Sequence, residues 1–166
     1  LAEVRQVLDL TARVRAELEG EGVAFNPEVP VGVMIEVPAA AVCADIFARH
    51  LDFLSIGTND LIQYAVAIDR VNDEVSYLYD PLNPGVLRLI RTSIEAGERY
   101  GIPVSMCGEM AGEPRFVALL LALGLREFSV HPAILLEVKR LITAIDRSRL
   151  VALADELLQC ESGAGV

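Results

Sequence analysis

Apolar residues recur along this chain at two different periods, and their alternation predicts the fold. Over residues 1–19, Leu1, Val4, Leu8, Val14 and Leu18 return at near-helical spacing with charges between them, the pattern of an amphipathic helix. Gly20, Gly22 and Asn26-Pro27 end it. Residues 31–36 form instead a short run rich in β-branched side chains, the length of a buried strand. Pro38 opens an alanine-rich helix to about residue 49, its missing N–H being harmless in the first turn. A second strand follows at 52–57, then a short helix at about 60–67 and an unusually long connection from 70 to 83. Asn83-Pro84 caps and starts a helix over 84–100. A third strand at 102–107, a helix at 113–123 and a brief strand at 127–130 complete the pattern. Two helices, about 132–145 and 147–158, finish it. The apolar stripes of residues 1–18 and 135–158 are expected to face a core.

A helix followed by four βα units implies a parallel sheet covered by helices. Side chains alternate between the faces of a strand. One face therefore carries Gly32, Met34, Glu36, Ser55, Gly57, Ser105, Cys107 and Ser129. The other carries Val31, Val33, Ile35, Leu54, Ile56, Val104, Met106, Phe128 and Val130. A small, polar face opposite a greasy one fits a barrel interior better than an open sheet. A (β/α)8 TIM barrel takes about 250 residues, and this chain has 166. The expected fold is α/β, the carboxyl-terminal half of such a barrel, about four βα units, cut from a longer protein.

Composition narrows the partners. A hydrophobic content of 53% supplies a core, and the length suits one domain. The longest apolar run, residues 116–123, falls far short of the roughly 20 residues of a membrane span, and no signal peptide is visible. A net charge of -10 repels nucleic acid and anionic lipid. Cys43, Cys107 and Cys160 are an odd number without a CxxC pair, the usage of a reducing cytosol.

The chemistry is expected where strands end. Glu36 and Asp60 follow neighbouring strands, which lie about 4.8 Å apart, so their carboxylates can converge on one magnesium ion, with substrate and water completing its shell. The plainer alternatives are a surface salt bridge for Glu36 and helix capping for Asp60. Cys107 is either a small buried hydrophobe or, beside Gly108 at a strand end, a working thiol able to donate a proton. Asn59 and Arg70 are candidates for holding phosphate or carboxylate oxygens, against a turn residue and a solvated charge. Met34, on the same face, is assigned to the substrate site. Cys43, Cys160, His50 and His131 read as packing, surface or capping residues.

Several motifs occur together and in order: Val33-Met34-Ile35-Glu36-Val37-Pro38-Ala39-Ala40-Ala41, Ser55-Ile56-Gly57-Thr58-Asn59-Asp60-Leu61, Ala67-Ile68-Asp69-Arg70 and Met106-Cys107-Gly108-Glu109-Met110-Ala111-Gly112. From about residue 31 to 142 the chain resembles the phosphoenolpyruvate-binding barrel of the PEP-utilising enzymes. Within that family it is most similar to the Enzyme I branch of the bacterial sugar phosphotransferase system or its nitrogen-related paralogue.

The resemblance implies a phosphoenolpyruvate–protein phosphotransferase, which moves the phosphoryl group of phosphoenolpyruvate to a protein histidine and releases pyruvate. It implies Glu36 and Asp60 as magnesium ligands, Asn59 and Arg70 as phosphate-binding positions, and Cys107 as proton donor to the enolate. It implies a cytoplasmic homodimer serving an HPr-like phosphocarrier protein through an amino-terminal phosphohistidine domain. That domain and the first barrel half are expected to lie outside residues 1–166, so the fragment alone is expected to be inactive. Two other readings stay open: a magnesium-dependent lyase of the pyruvate aldolase kind, which needs no thiol, and a non-catalytic dimerisation or regulatory module.

Overall fold

The computed structural model describes residues 1–146, 150 and 158–159. It falls into two compact units, Leu1–Val31 and Gly32–Val166. The first contains helix α1 (Ala2–Gly20), which buries none of its residues. The apolar stripe expected to face a core is covered only in part: Val4, Leu8 and Leu18 are half-buried, while Leu1 and Val14 are exposed. Its periodicity is helical, and Arg15 ties it to the segment that follows by donating to the Val29 carbonyl at 3.0 Å.

The second unit is α/β. Its strands are β1 (Gly32–Ile35), β2 (Phe53–Gly57), β3 (Val104–Cys107) and β4 (Glu127–Phe128). They form one sheet in the order β1-β2-β3-β4, with every pair parallel. Sequential order without a reversal is what an arc of a (β/α) barrel has, whereas a doubly wound sheet reverses its order at a switch point.

Between the strands run α2 (Pro38–Val42), α3 (Ala44–Ala48), α4 (Thr58–Ala65), α5 (Pro84–Tyr100), α6 (Glu109–Gly112) and α7 (Pro114–Ala122), and α8 (Leu135–Ala144) follows β4. Both faces of the sheet match their sequence pattern. Ile35, Leu54, Ile56 and Met106 are fully buried among apolar side chains of the helices, each contributing about 1.5–3 kcal/mol of burial. On the opposite face Met34 and Ser129 are exposed and Ser55, Ser105 and Cys107 partly so. Phe53 shares this face, and its ring lies where a side chain on Gly32 would collide with it.

Local chemistry accounts for the element boundaries. Asn83 Oδ1 accepts the Gly85 N–H at 2.9 Å and caps α5, which ends at Gly101 in the left-handed region (φ 69°). The single helix expected over 38–49 is two. Cys43 adopts a turn conformation between α2 and α3 (φ -101°, ψ 18°), and the re-aimed helices bury Ala41, Ala44 and Ala48 in the main core. Helix α4 starts at Thr58, directly on the end of β2, and stops before Ala67, which has a positive φ of 55°. The long connection contains a 3-10 turn, Ser76–Leu78, and is tied by side-chain turns: Asp69, Asn72 and Asp80 each accept an N–H two residues on. In α8, Val138 is buried against Val117 and Leu121, so this stripe does face a core. The expected helix over 147–158 and Cys160 lie outside the described residues, apart from 150 and 158. Among the described residues no helix is long and apolar enough to cross a membrane.

Candidate active site

Because the strands are parallel, their carboxyl ends share one rim, and the expected residues collect there. Glu36 immediately follows β1, Asp60 lies in the first turn of α4, and Cys107 is the last residue of β3. Gly57 and Cys107 are register partners, so the thiol stands beside the end of β2. Glu36 reaches across from the other side: a Cβ on Gly57 would stand 3.3 Å from Glu36 Oε2 and 3.1 Å from Met34 Sδ. The glycine leaves room for both side chains over the strand end.

Cys107 Sγ lies 3.8 Å from Met34 Sδ and 3.9 Å from Ser55 Oγ. It is partly exposed and lines a cleft of about 730 Å³, together with Asn59, Gly108, Glu109, Ser129 and His131. Cys107 is therefore not fully buried. His131 turns out to be a capping residue, its Nδ1 accepting the Ala133 N–H at 3.2 Å.

The corner from β2 to α4 touches the turn after β3 at two points. The Thr58 hydroxyl donates to the Cys107 carbonyl at 3.0 Å, and Asn59 Oδ1 accepts the Glu109 N–H at 3.0 Å. With its oxygen so engaged, Asn59 has its amide NH2 left to offer an anion. Asp60 does not cap α4, since no side chain does. Its carboxylate stands 3.6 Å from the Arg70 guanidinium. Glu36 makes no ion pair among the described residues.

Arg70 is also held through its backbone, its N–H donating to Gln63 Oε1 at 3.1 Å. It lines a second cavity of about 340 Å³ with Val71, Ser76, Tyr79 and Glu109, and Glu109 thus borders both spaces. The Tyr79 phenol is pushed above its usual range, first by burial and then by the Glu109 carboxylate; Arg70 opposes the shift and Asp60 adds to it.

The expected residues Glu36, Met34, Cys107, Asn59, Asp60 and Arg70 all lie on this rim. No three His, Cys, Asp or Glu side chains gather into a metal-holding group among the described residues. A cation here would rest on two carboxylates, with ligand and water supplying the rest. Reading the sequence missed Thr58, Glu109, Gln63 and Tyr79. Thr58 and Glu109 carried a usable signal, as polar residues inside the Asn59-Asp60 and Cys107-Gly108 motifs at strand ends.

Comparison with known proteins places the chain in a family. The family model for "PEP-utilising enzyme, PEP-binding domain" matches residues 1–147. Phosphoenolpyruvate-protein phosphotransferase of Cupriavidus necator is 51% identical over 158 residues, covering 95% of this chain. Proteins of the same name from Listeria monocytogenes and Staphylococcus carnosus are 49% and 45% identical, covering 94% and 96% of this chain. The chain spans only 27–28% of the length of these relatives.

Proposed function

Because the chain belongs to the PEP-utilising enzymes, as their PEP-binding domain, we propose that it forms part of a phosphoenolpyruvate–protein phosphotransferase. In this reading it is the carboxyl-terminal half of the barrel. The first half and a phosphohistidine domain belong to the longer protein, a cytoplasmic homodimer that passes phosphate to an HPr-like phosphocarrier. The observation that carries the reading is the convergence on one rim of a thiol, two carboxylates, a carboxamide and a guanidinium, from three adjacent parallel strands.

The donor set fits magnesium. Glu36 and Asp60 offer hard oxygens, and Gly57 leaves space over the strand end where the Glu36 carboxylate lies. Two carboxylates with water and phosphate oxygens are how this ion is usually held. When bound, it offsets charge on the phosphoryl group and on the enolate oxygen. The need is plain from the charges: among the rim residues named here Arg70 is the cation, while Glu36, Asp60 and Glu109 are acids. A phosphate ester would meet net repulsion without added positive charge.

The chain's own residues then divide the work. Asn59 and Arg70 orient the phosphoryl group, and Met34 forms a wall between Glu36 and Cys107. The bond from phosphorus to the enolate oxygen breaks as phosphorus bonds to the histidine nitrogen of the other domain. Cys107 gives its thiol proton to the methylene carbon of the enolate, yielding pyruvate, and the thiolate regains a proton from water.

The test is an assay of the full-length protein for magnesium-dependent histidine phosphorylation by phosphoenolpyruvate with release of pyruvate. Turnover that cleaves a carbon–carbon bond and survives Cys107→Ala supports the lyase instead. Absence of any magnesium-dependent ligand binding supports a non-catalytic module.

A further inference from the structure

Thr58 is a polar residue with 0% exposure, and its hydroxyl donates to the backbone carbonyl of Cys107 itself. We infer that Thr58 is a positioning residue for the Cys107 thiol, the inner half of a two-point clamp that ties the proton-donor turn to the phosphate-binding corner. The inference rests on the proton-donor reading of Cys107 given above.

Three observations combine. The carbonyl accepting from Thr58 belongs to the residue whose side chain reacts, so the contact sets the peptide plane next to Cα of Cys107. The next residue, Gly108, has φ of 94°, a conformation that L side chains rarely adopt. Any Cβ there would collide with the Thr58 hydroxyl and stand 3.0 Å from Asn59 Oδ1. The residue after it, Glu109, is held by Asn59. Three consecutive residues of the turn are thus fixed by two consecutive residues of the corner. Strand pairing ends at Gly57 and Cys107, so beyond that point the clamp takes over from the ladder in setting where the thiol stands.

The consequence is a split between binding and proton delivery. Loss of the hydroxyl leaves Asn59, Asp60 and Arg70 in place but lets the thiol stray, and a misplacement of about 1 Å can cost up to about 100-fold in rate. A strand-end thiol released from its clamp also opens to reagents more often.

The experiment uses the full-length protein with Thr58→Val and Thr58→Ser. In Thr58→Val, kcat for pyruvate formation is expected to fall by about 10- to 100-fold while KM for phosphoenolpyruvate stays near wild type. Alkylation of Cys107 by iodoacetamide, followed by peptide mass mapping, is expected to accelerate several-fold. Thr58→Ser, which keeps the hydroxyl, is expected to restore both. Wild-type alkylation and kcat in Thr58→Val overturn the inference, as does Thr58→Ser behaving like Thr58→Val. Accelerated alkylation with unchanged kcat upholds the clamp and overturns the proton-donor reading instead. Should Thr58→Val fail to fold, Gly108→Ala disturbs the same contact from the other side. Accelerated alkylation of Cys107 is expected there too, and a wild-type rate overturns the clamp.

Discussion

Arg70 Nη2 stands 3.6 Å from Asp60 Oδ1, with the two side chains 36% and 43% exposed. A pair so open to water contributes about 0–1 kcal/mol to stability, so its geometry has to be explained by the site. The carboxylate proposed to hold magnesium also holds the guanidinium proposed to hold phosphate. Asp60→Asn is therefore expected to leave the melting temperature of the full-length protein within a few degrees of wild type. Its turnover of phosphoenolpyruvate is expected to fall by several orders of magnitude, with much weaker dependence on added magnesium. Retained magnesium-dependent turnover in this variant refutes the assignment.

Cys107→Ala separates binding from chemistry. The thiol delivers a proton and holds no phosphate, so its loss is expected to slow pyruvate formation by about 10²–10⁴-fold. Affinity for magnesium and phosphoenolpyruvate, measured by calorimetry, is expected to stay close to wild type. Unchanged turnover removes Cys107 from the mechanism.

The rim was legible because parallel βα units leave little choice about where a strand-end residue goes. Glu36, Asp60 and Cys107 needed only the strand boundaries, and short β-branched runs mark those. Asn83-Pro84 likewise announced α5 through a cap that the structure contains. What escaped was decided by contacts between segments distant in sequence. Thr58 is an ordinary helix-start residue until β3 sets the Cys107 carbonyl above it, and Tyr79 reaches Arg70 and Glu109 through a connection with no regular period. The break at Cys43 is invisible in a run of alanines with good helix propensity, since it serves the packing of two short helices. Ala67 escaped for the opposite reason, because alanine at that position speaks for continuing the helix.

Ala67 supplies a stability test. It sits at φ 55°, just past the end of α4, where Ile68 donates its N–H back to the Gln63 carbonyl at 3.1 Å. This is the position glycine usually fills in a helix-ending turn, and alanine in the left-handed region costs roughly 1–2 kcal/mol. Ala67→Gly gives back part of that gain through the looser unfolded chain. The expected outcome in urea unfolding of the full-length protein is a net stabilisation of up to about 1 kcal/mol, with Arg70 still held by Gln63. A loss of stability means that Ala67 owes its conformation to contacts its methyl makes.

Tyr79 offers a pH signature. Its phenol is raised above the usual value near 10, chiefly by burial and by Glu109. The folded state thus holds this proton more tightly than the unfolded chain does. The stability it contributes is fully present below the unfolded pKa and drains away as pH climbs from there through the folded pKa. In ultraviolet titration Tyr79 is expected to ionise later than an ordinary phenol, and Tyr79→Phe removes that late component. Glu109→Gln takes away one cause of the shift and is expected to bring the component to lower pH. A late component unaffected by either substitution belongs to another tyrosine.

The isolated 166-residue chain should not behave as a contented monomer. In its sheet β1 and β4 are the end strands, each paired on one side only among the described residues. Beside those edges lies the inward face, where Met34 is 42% exposed and Ser55, Ser105 and Cys107 stand partly open. Unpaired strand edges recruit other strands, and open apolar surface beside them favours association. In the longer protein proposed above, the first half of the barrel would occupy both edges and close over the face. Without it, two copies can pair edge to edge, or the chain can lose its sheet. Light scattering of the purified fragment is expected to give a dimer or larger species, or thermal unfolding well below that of the full-length protein. A stable, monodisperse monomer shows that these edges need no partner, and the half-barrel reading then fails.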